Sequence, residues 1–142
     1  EKRLGYKLYD QDVYVSIAGG LRIEEPALDL PILASITSAY KNTPLIKDTV
    51  LLGEVGLTGE LRAISNAKQR IDECIKLGFK KIILPKGNKR SLNDEGNIKL
   101  LFADNVFTAL SLAAITLLRI SLLLSLFLSS LSCPKVREPT SI

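Results

Sequence analysis

Apolar positions along this chain change their period several times, and each change marks an element. Val13, Val15 and Ile17 alternate with Tyr14, Ser16 and Ala18, the two-residue period of a half-buried strand. Gly19-Gly20 then permits a bulge or a close backbone approach, and Leu21 to Ile23 can resume the strand. From Asp29 to Lys41 the period lengthens: Leu30, Leu33, Ile36 and Tyr40 fall three or four apart and predict one face of a helix. Pro31 would cost about 3 kcal/mol deep in a helix but is tolerated in a first turn. An N-cap at Asp29 puts it at the second helical position. Asn42-Thr43-Pro44 ends this helix.

Thr49 to Gly53 reads as a buried strand, and Gly56 and Gly59 bracket a tight connection into a second strand from Glu60 to Ile64. A second helix starts at Asn66, with Gln69 at capping-box spacing, and carries Ala67, Ile71, Cys74 and Ile75 as its buried stripe. Gly78 is placed to close it in the left-handed conformation. Lys81 to Pro85 is a short apolar strand, Gly87 to Asn97 a polar loop, and Ile98 to Phe102 a last strand, after which Asp104 can cap a final helix. Strands mixed with helices in this order predict an α/β (α+β) domain.

From Ala109 to Leu131 the chain becomes rich in Leu, Ser and Ala, with Arg119 its only charge. The length suffices to cross a bilayer, which takes about 20 mostly apolar residues. Arg119 near the middle would cost roughly 2.5–3.5 kcal/mol on insertion scales, and the hydroxyls weaken the case further. A buried or interface helix, or sequence foreign to the domain, is the preferred reading of residues 115–142.

Composition narrows the chemistry. The 142 residues, 46% hydrophobic and 24% charged, suit one folded domain rather than a disordered chain. The absence of Met predicts a piece of a longer protein. There is no His, which removes Ser-His-Asp triads, His general bases and His-ligated zinc together. Cys74 and Cys133 form no Cys-x-x-Cys pair, so no metal or redox site is expected. No phosphate-binding Gly-x-x-x-x-Gly-Lys-Ser/Thr run is present, so these residues are not expected to hydrolyse nucleotide.

The net charge of +4 is a mild bias, but six cations and no acid lie between positions 76 and 90. Lys76, Lys80, Lys81, Lys86, Lys89 and Arg90 are candidates for contact with the DNA backbone, against the plain alternative of a soluble surface flanking a buried strand. Base stacking on this stretch is not expected, and phosphate contact rather than sequence readout is. Glu54, Glu60 and Arg62 flank the glycine turn and could pair across strands or bridge to a neighbouring subunit.

Three blocks together carry a resemblance. They are Asp12-Val13-Tyr14-Val15 through Glu25-Pro26-Ala27-Leu28-Asp29-Leu30, then Leu-Gly-Glu-Val-Gly-Leu-Thr-Gly-Glu-Leu at 52–61, then Ile64 to Pro85. The chain resembles the C-terminal, Lon-protease-like domain of the RadA (Sms) family of bacterial DNA-repair proteins. The resemblance covers residues 1–114 and leaves 115–142 as a hydrophobic tail outside it. It implies a Lon proteolytic-domain-like βαβ fold, related to the ribosomal protein domain-2-like superfamily, with a mixed sheet and helices packed on it. Pro31 and the tail depart from the family pattern.

The same resemblance sets the expected chemistry. Lon-type proteases use a serine nucleophile and a lysine base. Ala27 stands at the serine position and Lys68 at the lysine position, and a methyl group cannot attack a carbonyl. Asp29 beside the would-be centre would oppose an oxyanion. Lys68 therefore reads as a solvated first-turn lysine, against the alternative of a relic of the dyad or a ligand-facing cation. Ser35 and Ser38 read as helix-surface or packing residues and Ser65 as a turn residue, rather than as replacement nucleophiles. The implied function is noncatalytic: assembly of a homo-oligomer, a hexameric ring, and DNA contact during branch migration in the cytoplasm. ATP, Mg and Zn are implied only for parts of such a protein beyond these residues. The rival reading, an active Ser-Lys peptidase, is opposed by Ala27.

Overall fold

The strand Lys81–Pro85 organises the molecule because its residues are apolar on both faces. A strand buried on both sides reads as a continuous apolar run, and here Ile82, Ile83 and Leu84 have no exposed surface. The structure, a computed structural model, describes residues 1–16, 24–92, 96 and 98–114. Five strands and three α-helices follow in chain order. They are α1 (Asp29–Lys41), β1 (Thr49–Leu51), β2 (Glu54–Val55), β3 (Leu61–Arg62), α2 (Ala67–Lys76), β4 (Lys81–Pro85), β5 (Lys99–Ala103) and α3 (Val106–Ala113). Short 3-10 turns occupy Pro26–Leu28 and Lys86–Ser91.

The main sheet has the order β1-β4-β5 and is parallel throughout, with Val50 opposite Ile82 and Ile83 opposite Leu101. Among the described residues antiparallel pairing is found in the separate β2-β3 hairpin and in an isolated bridge between Glu60 and Asn105. Parallel neighbours need a long crossover; the hairpin and α2 supply it between β1 and β4. Alternation along β4 divides the core in two. Ile83 joins Leu30, Ala34, Leu51, Leu61 and the buried face of α3. Ile82 and Leu84 join Ala27, Leu52, Ile64, Ile71 and Cys74. The sheet thus separates α1 and α3 from α2.

Helix α1 has the expected bounds, and Pro31 sits in its first turn. Its inner stripe is Leu30 and Ala34, while Pro31, Ile32, Ile36 and Tyr40 border an open groove. Asp29 does not cap it; its carboxylate instead accepts from the Val55 backbone N–H at 3.2 Å. The helix closes on Asn42 in the left-handed conformation. Helix α2 buries Ala67, Ile71 and Cys74 as expected. The Asn66–Gln69 capping box does not form: Asn66 is itself left-handed (φ 53°) and makes no side-chain cap. Gly78 (φ +83°) closes α2 through paired bonds, Gly78 N–H to Ile75 O and Phe79 N–H to Cys74 O. That is the Schellman arrangement that favours glycine. Helix α3 is capped by Asn105, whose side chain accepts from the Thr108 N–H at 2.8 Å, one residue beyond the expected Asp104.

Two further expectations change. Residues 13–16 form no strand, and Val13 and Val15 are half exposed. An alternating pattern needs a partner edge to become a strand, and among the described residues none pairs with it. The remainder of that strand expectation, residues 17–23, lies outside the described residues. The polar loop expected from Gly87 begins as the 3-10 turn Lys86–Ser91, held by the buried Asn88. The expectations for residues 115–142 also fall outside the described residues.

Candidate functional site

The three sequence blocks meet at one seam. The 3-10 turn Pro26–Leu28 places Ala27 against Gly53, whose N–H donates to Ala27 O while the Leu30 N–H donates to Gly53 O, both at 3.0 Å. A side chain at Gly53 would come within 3.3 Å of Leu30 and 3.4 Å of Pro85, so the approach is too close for bulk. Glu25 holds the third block: one carboxylate oxygen accepts from the Ala27 N–H at 3.1 Å, and the other meets the Arg70 guanidinium of α2 at 2.6 Å. The Arg70 hydrogen bond, then the Ala27 N–H, holds the Glu25 carboxyl below its ordinary range. Arg70 also donates from Nε to Ser65 O at 3.1 Å. Sequence reasoning missed the Glu25–Arg70 link, since the residues lie 45 positions apart and no periodic signal joins them.

At this seam the positions expected to hold a dyad are unsuited to chemistry. Ala27 is 1% exposed, and its methyl packs in the same apolar cluster as Ala67 and Ile71 of α2. The Lys68 side chain is 63% exposed on α2, with its ammonium 3.8 Å from Asp72 one turn on. The replacement hydroxyls are engaged locally: Ser35 donates to Pro31 O at 2.8 Å and Ser38 to Thr43 O at 2.7 Å. A nucleophile needs a base within hydrogen-bond reach and room for a substrate; a buried methyl supplies neither.

The glycine stretch folds as the β2-β3 hairpin. Arg62 pairs across the strands with Glu54 at 3.2 Å and, two residues back along its own segment, with Glu60 at 3.1 Å. The expected cross-strand pairing is the one seen. Glu60 also accepts from the Thr58 hydroxyl and, at 3.1 Å, from the Thr58 N–H. The Thr58 hydroxyl first, and Glu60's own backbone next, bring the Glu60 pKa down to about 2, with Arg62 adding to them. The carboxylate lies over Gly56, where a Cβ would fall 1.9 Å from it. The hairpin is tied to α3 through Val106 N–H to Gly59 O and Leu61 N–H to Asp104 O.

The six candidate DNA-contact cations do not form one patch, because β4 runs between them. Four steps along a strand span roughly 13 Å, so Lys76, Lys80 and Lys81 lie at one end of β4 and Lys86, Lys89 and Arg90 at the other. In the first group Lys76 pairs with Glu73 at 2.7 Å and Lys80 with Asp48 at 3.8 Å. The second group is exposed on the 3-10 turn, with Lys89 lying 5.9 Å from the Phe102 ring centre. Asn88 fixes that turn. It is 5% exposed and forms a two-bond clamp on Ile64, accepting from its N–H at 3.0 Å and donating to its carbonyl at 2.9 Å. Sequence reasoning passed over Asn88 as a loop residue.

Among the described residues no three His, Cys, Asp or Glu gather as metal ligands. Cys74 is buried, and burial pushes its thiol up, away from the thiolate a metal needs. Among the described residues no helix is long and apolar enough to cross a membrane.

Fold and site define an α/β domain whose seam at Ala27 is closed and whose exposed cations sit on a clamped turn. The chain belongs to the family described as subunit ChlI of Mg-chelatase, whose model matches residues 2–88. It is similar to the DNA repair protein RadA of Bacillus subtilis (strain 168), 44% identical over 110 residues, which is 78% of this chain and 24% of that protein. RadA of Halalkalibacterium halodurans matches to the same extent. RadA of Listeria monocytogenes is 44% identical over 100 residues, 70% of this chain and 21% of that protein. The chain spans about a quarter of the length of these curated relatives.

Proposed function

We propose that these residues form a noncatalytic, Lon-like domain of a RadA-type cytoplasmic DNA-repair protein, serving homo-oligomer assembly and contact with the DNA backbone during branch migration. The observation that carries the noncatalytic part is the buried methyl of Ala27 where a nucleophile would stand. The DNA-contact part rests on Lys86, Lys89 and Arg90, held outward by the Asn88 clamp with no carboxylate in their turn. Phosphates take their affinity from such cations, and counterion release makes it steeply salt-dependent. ATP hydrolysis, with its Mg, and any zinc site would belong to other parts of such a protein.

A salt series tests the reading. Binding of single-stranded DNA should weaken with salt, and replacing Lys86, Lys89 and Arg90 by Ala should flatten the log–log slope by roughly 0.7 for each phosphate no longer neutralised. Replacing Lys76 and Lys80 by Ala should change it much less. Equal effects from the two groups would overturn the assignment, and so would indifference to DNA. Light scattering tests assembly: a monomer at all concentrations removes the oligomer from the proposal.

A further inference from the structure

The cationic turn has an aromatic neighbour that linear order hides. Phe102 of β5 stands opposite Leu84 of β4 in the parallel register, so its side chain shares the α2 side of the sheet with Leu84. That places it beside the point where β4 runs into Lys86–Ser91. The ring packs on the rim of the apolar cluster of Ile71, Ile82 and Leu84 and keeps part of its surface in solvent. Among the described residues β5 pairs on one side only, with β4, so the ring stands at the margin of the sheet. The Lys89 ammonium lies 5.9 Å from the ring centre, and Lys86 and Arg90 are exposed on the same turn.

Leu92 and Leu100 fill other rim positions of that cluster without any aromatic group. What Phe102 adds is a π face next to three cations. The acid two residues on, Asp104, is engaged toward α3, accepting from Asn105 Nδ2 at 2.8 Å and from the Thr108 hydroxyl at 3.3 Å. Cations and a ring serve different parts of a nucleotide: phosphates take the cations, and an unpaired base takes the aromatic face. Bases in a duplex are stacked on one another and have no face to spare, so only a single strand can use both.

We propose that Phe102 is the base-stacking element of this surface. A single strand of DNA lays its phosphates along Lys86, Lys89 and Arg90 and stacks one base on Phe102, which makes the surface selective for single strands over duplex. This rests on the reading of those cations as phosphate contacts and adds the class of nucleic acid they take. Selection is by strandedness and not by sequence, because every base has a π face.

Two variants of the full chain test it. Phe102→Trp supplies the one indole of a chain without Trp, and so a fluorophore at the site. Its emission should be quenched saturably by oligodeoxythymidine and left unchanged by an abasic sugar-phosphate chain of the same length or by duplex. Phe102→Leu keeps an apolar filler at the rim and should weaken oligodeoxythymidine binding about tenfold, within the range for one stacked base. Its log–log salt slope and its affinity for duplex should stay those of the parent. Phe102→Leu decides alone if the Trp variant does not fold. Unchanged affinity in Phe102→Leu, with the salt slope intact, would overturn the stacking and leave the phosphate reading in place. Equal losses toward single strand, abasic chain and duplex would also overturn it, making Phe102 a support of the turn. A slope untouched when Lys86, Lys89 and Arg90 become Ala would remove the phosphate reading, and this proposal with it.

Discussion

Asn88 is the buried polar side chain that ties the cationic turn to the segment after β3. Its amide satisfies both backbone groups of Ile64, itself buried two residues past β3. Asn88→Ala removes both partners and leaves a buried N–H and a buried C=O unpaired. Each orphan costs about 1–3 kcal/mol, so the pair costs about 2–6 kcal/mol, and entry of one water would bring the loss to about 3 kcal/mol. For a domain of this size that lowers Tm by roughly 10–20 °C. Asn88→Asp separates the two bonds. The acceptor toward Ile64 N–H survives, but an anionic oxygen now faces the Ile64 carbonyl. The ionised form is disfavoured in the fold, so the introduced carboxyl titrates above its unfolded value of about 3.9. A carboxyl raised in the fold destabilises above its folded pKa, and the deficit shrinks as pH falls toward the unfolded value. Urea unfolding followed by far-UV circular dichroism at pH 7 and pH 4 measures both, which suits a chain without Trp. Asn88→Ala within about 0.5 kcal/mol of the parent, well below the cost of one orphan, would refute the clamp. An Asn88→Asp deficit independent of pH would refute the bond to the Ile64 carbonyl.

Ala27→Ser should not create a peptidase: the new hydroxyl would enter an apolar cluster and cost about 1–3 kcal/mol unbonded. Lys68, largely exposed, is no base for it. Fluorophosphonate labelling that appears in Ala27→Ser and vanishes with Lys68→Ala would contradict this. Glu60, with its pKa brought down to about 2 from 4.5, stabilises the hairpin fully above pH 4.5 and loses that contribution as pH falls toward 2. Glu60→Gln should therefore flatten the acid limb of the stability curve over that window. Gly56→Ala, by pushing the carboxylate off Thr58 and Arg62, should raise the Glu60 pKa toward 4.5 in an NMR titration; an unmoved pKa would show that the close approach is not binding.

Local periodicity carried much of the fold. The bounds of α1, the buried stripe of α2, its glycine stop and the central strand at 81–85 are all read from spacing, because each is decided within a few residues. The caps were less legible. Asp29 and Asn66 are good N-cap residues by type, yet Asp29 is claimed by a backbone N–H twenty-six residues away and Asn66 adopts a left-handed turn. The alternating run differs in kind: over the described residues 13–16 it forms no strand, since a strand exists only where an edge accepts it. The site was legible in type and illegible in partnership. Ala27, Lys68 and the cations were found by position, while Glu25–Arg70 and Asn88–Ile64 join distant residues that no local pattern connects. The six-cation patch split because linear spacing says nothing of the strand between.

On the proposed Lon-like reading, replacing a nucleophile would by itself leave a cleft, and the seam at Ala27 is more closed than that. Its backbone is bonded to Gly53, its methyl is packed against α2, and the half-buried Glu25–Arg70 pair bridges the two segments. A Cβ at Gly53 would already fall 3.3 Å from Leu30 and 3.4 Å from Pro85. Each of these contacts occupies volume or polar capacity that a substrate and an oxyanion would need. A hydrolytic site must keep such groups unsatisfied until substrate arrives, whereas here they are spent on one another and on the core. Restoring the serine alone therefore cannot restore a cleft.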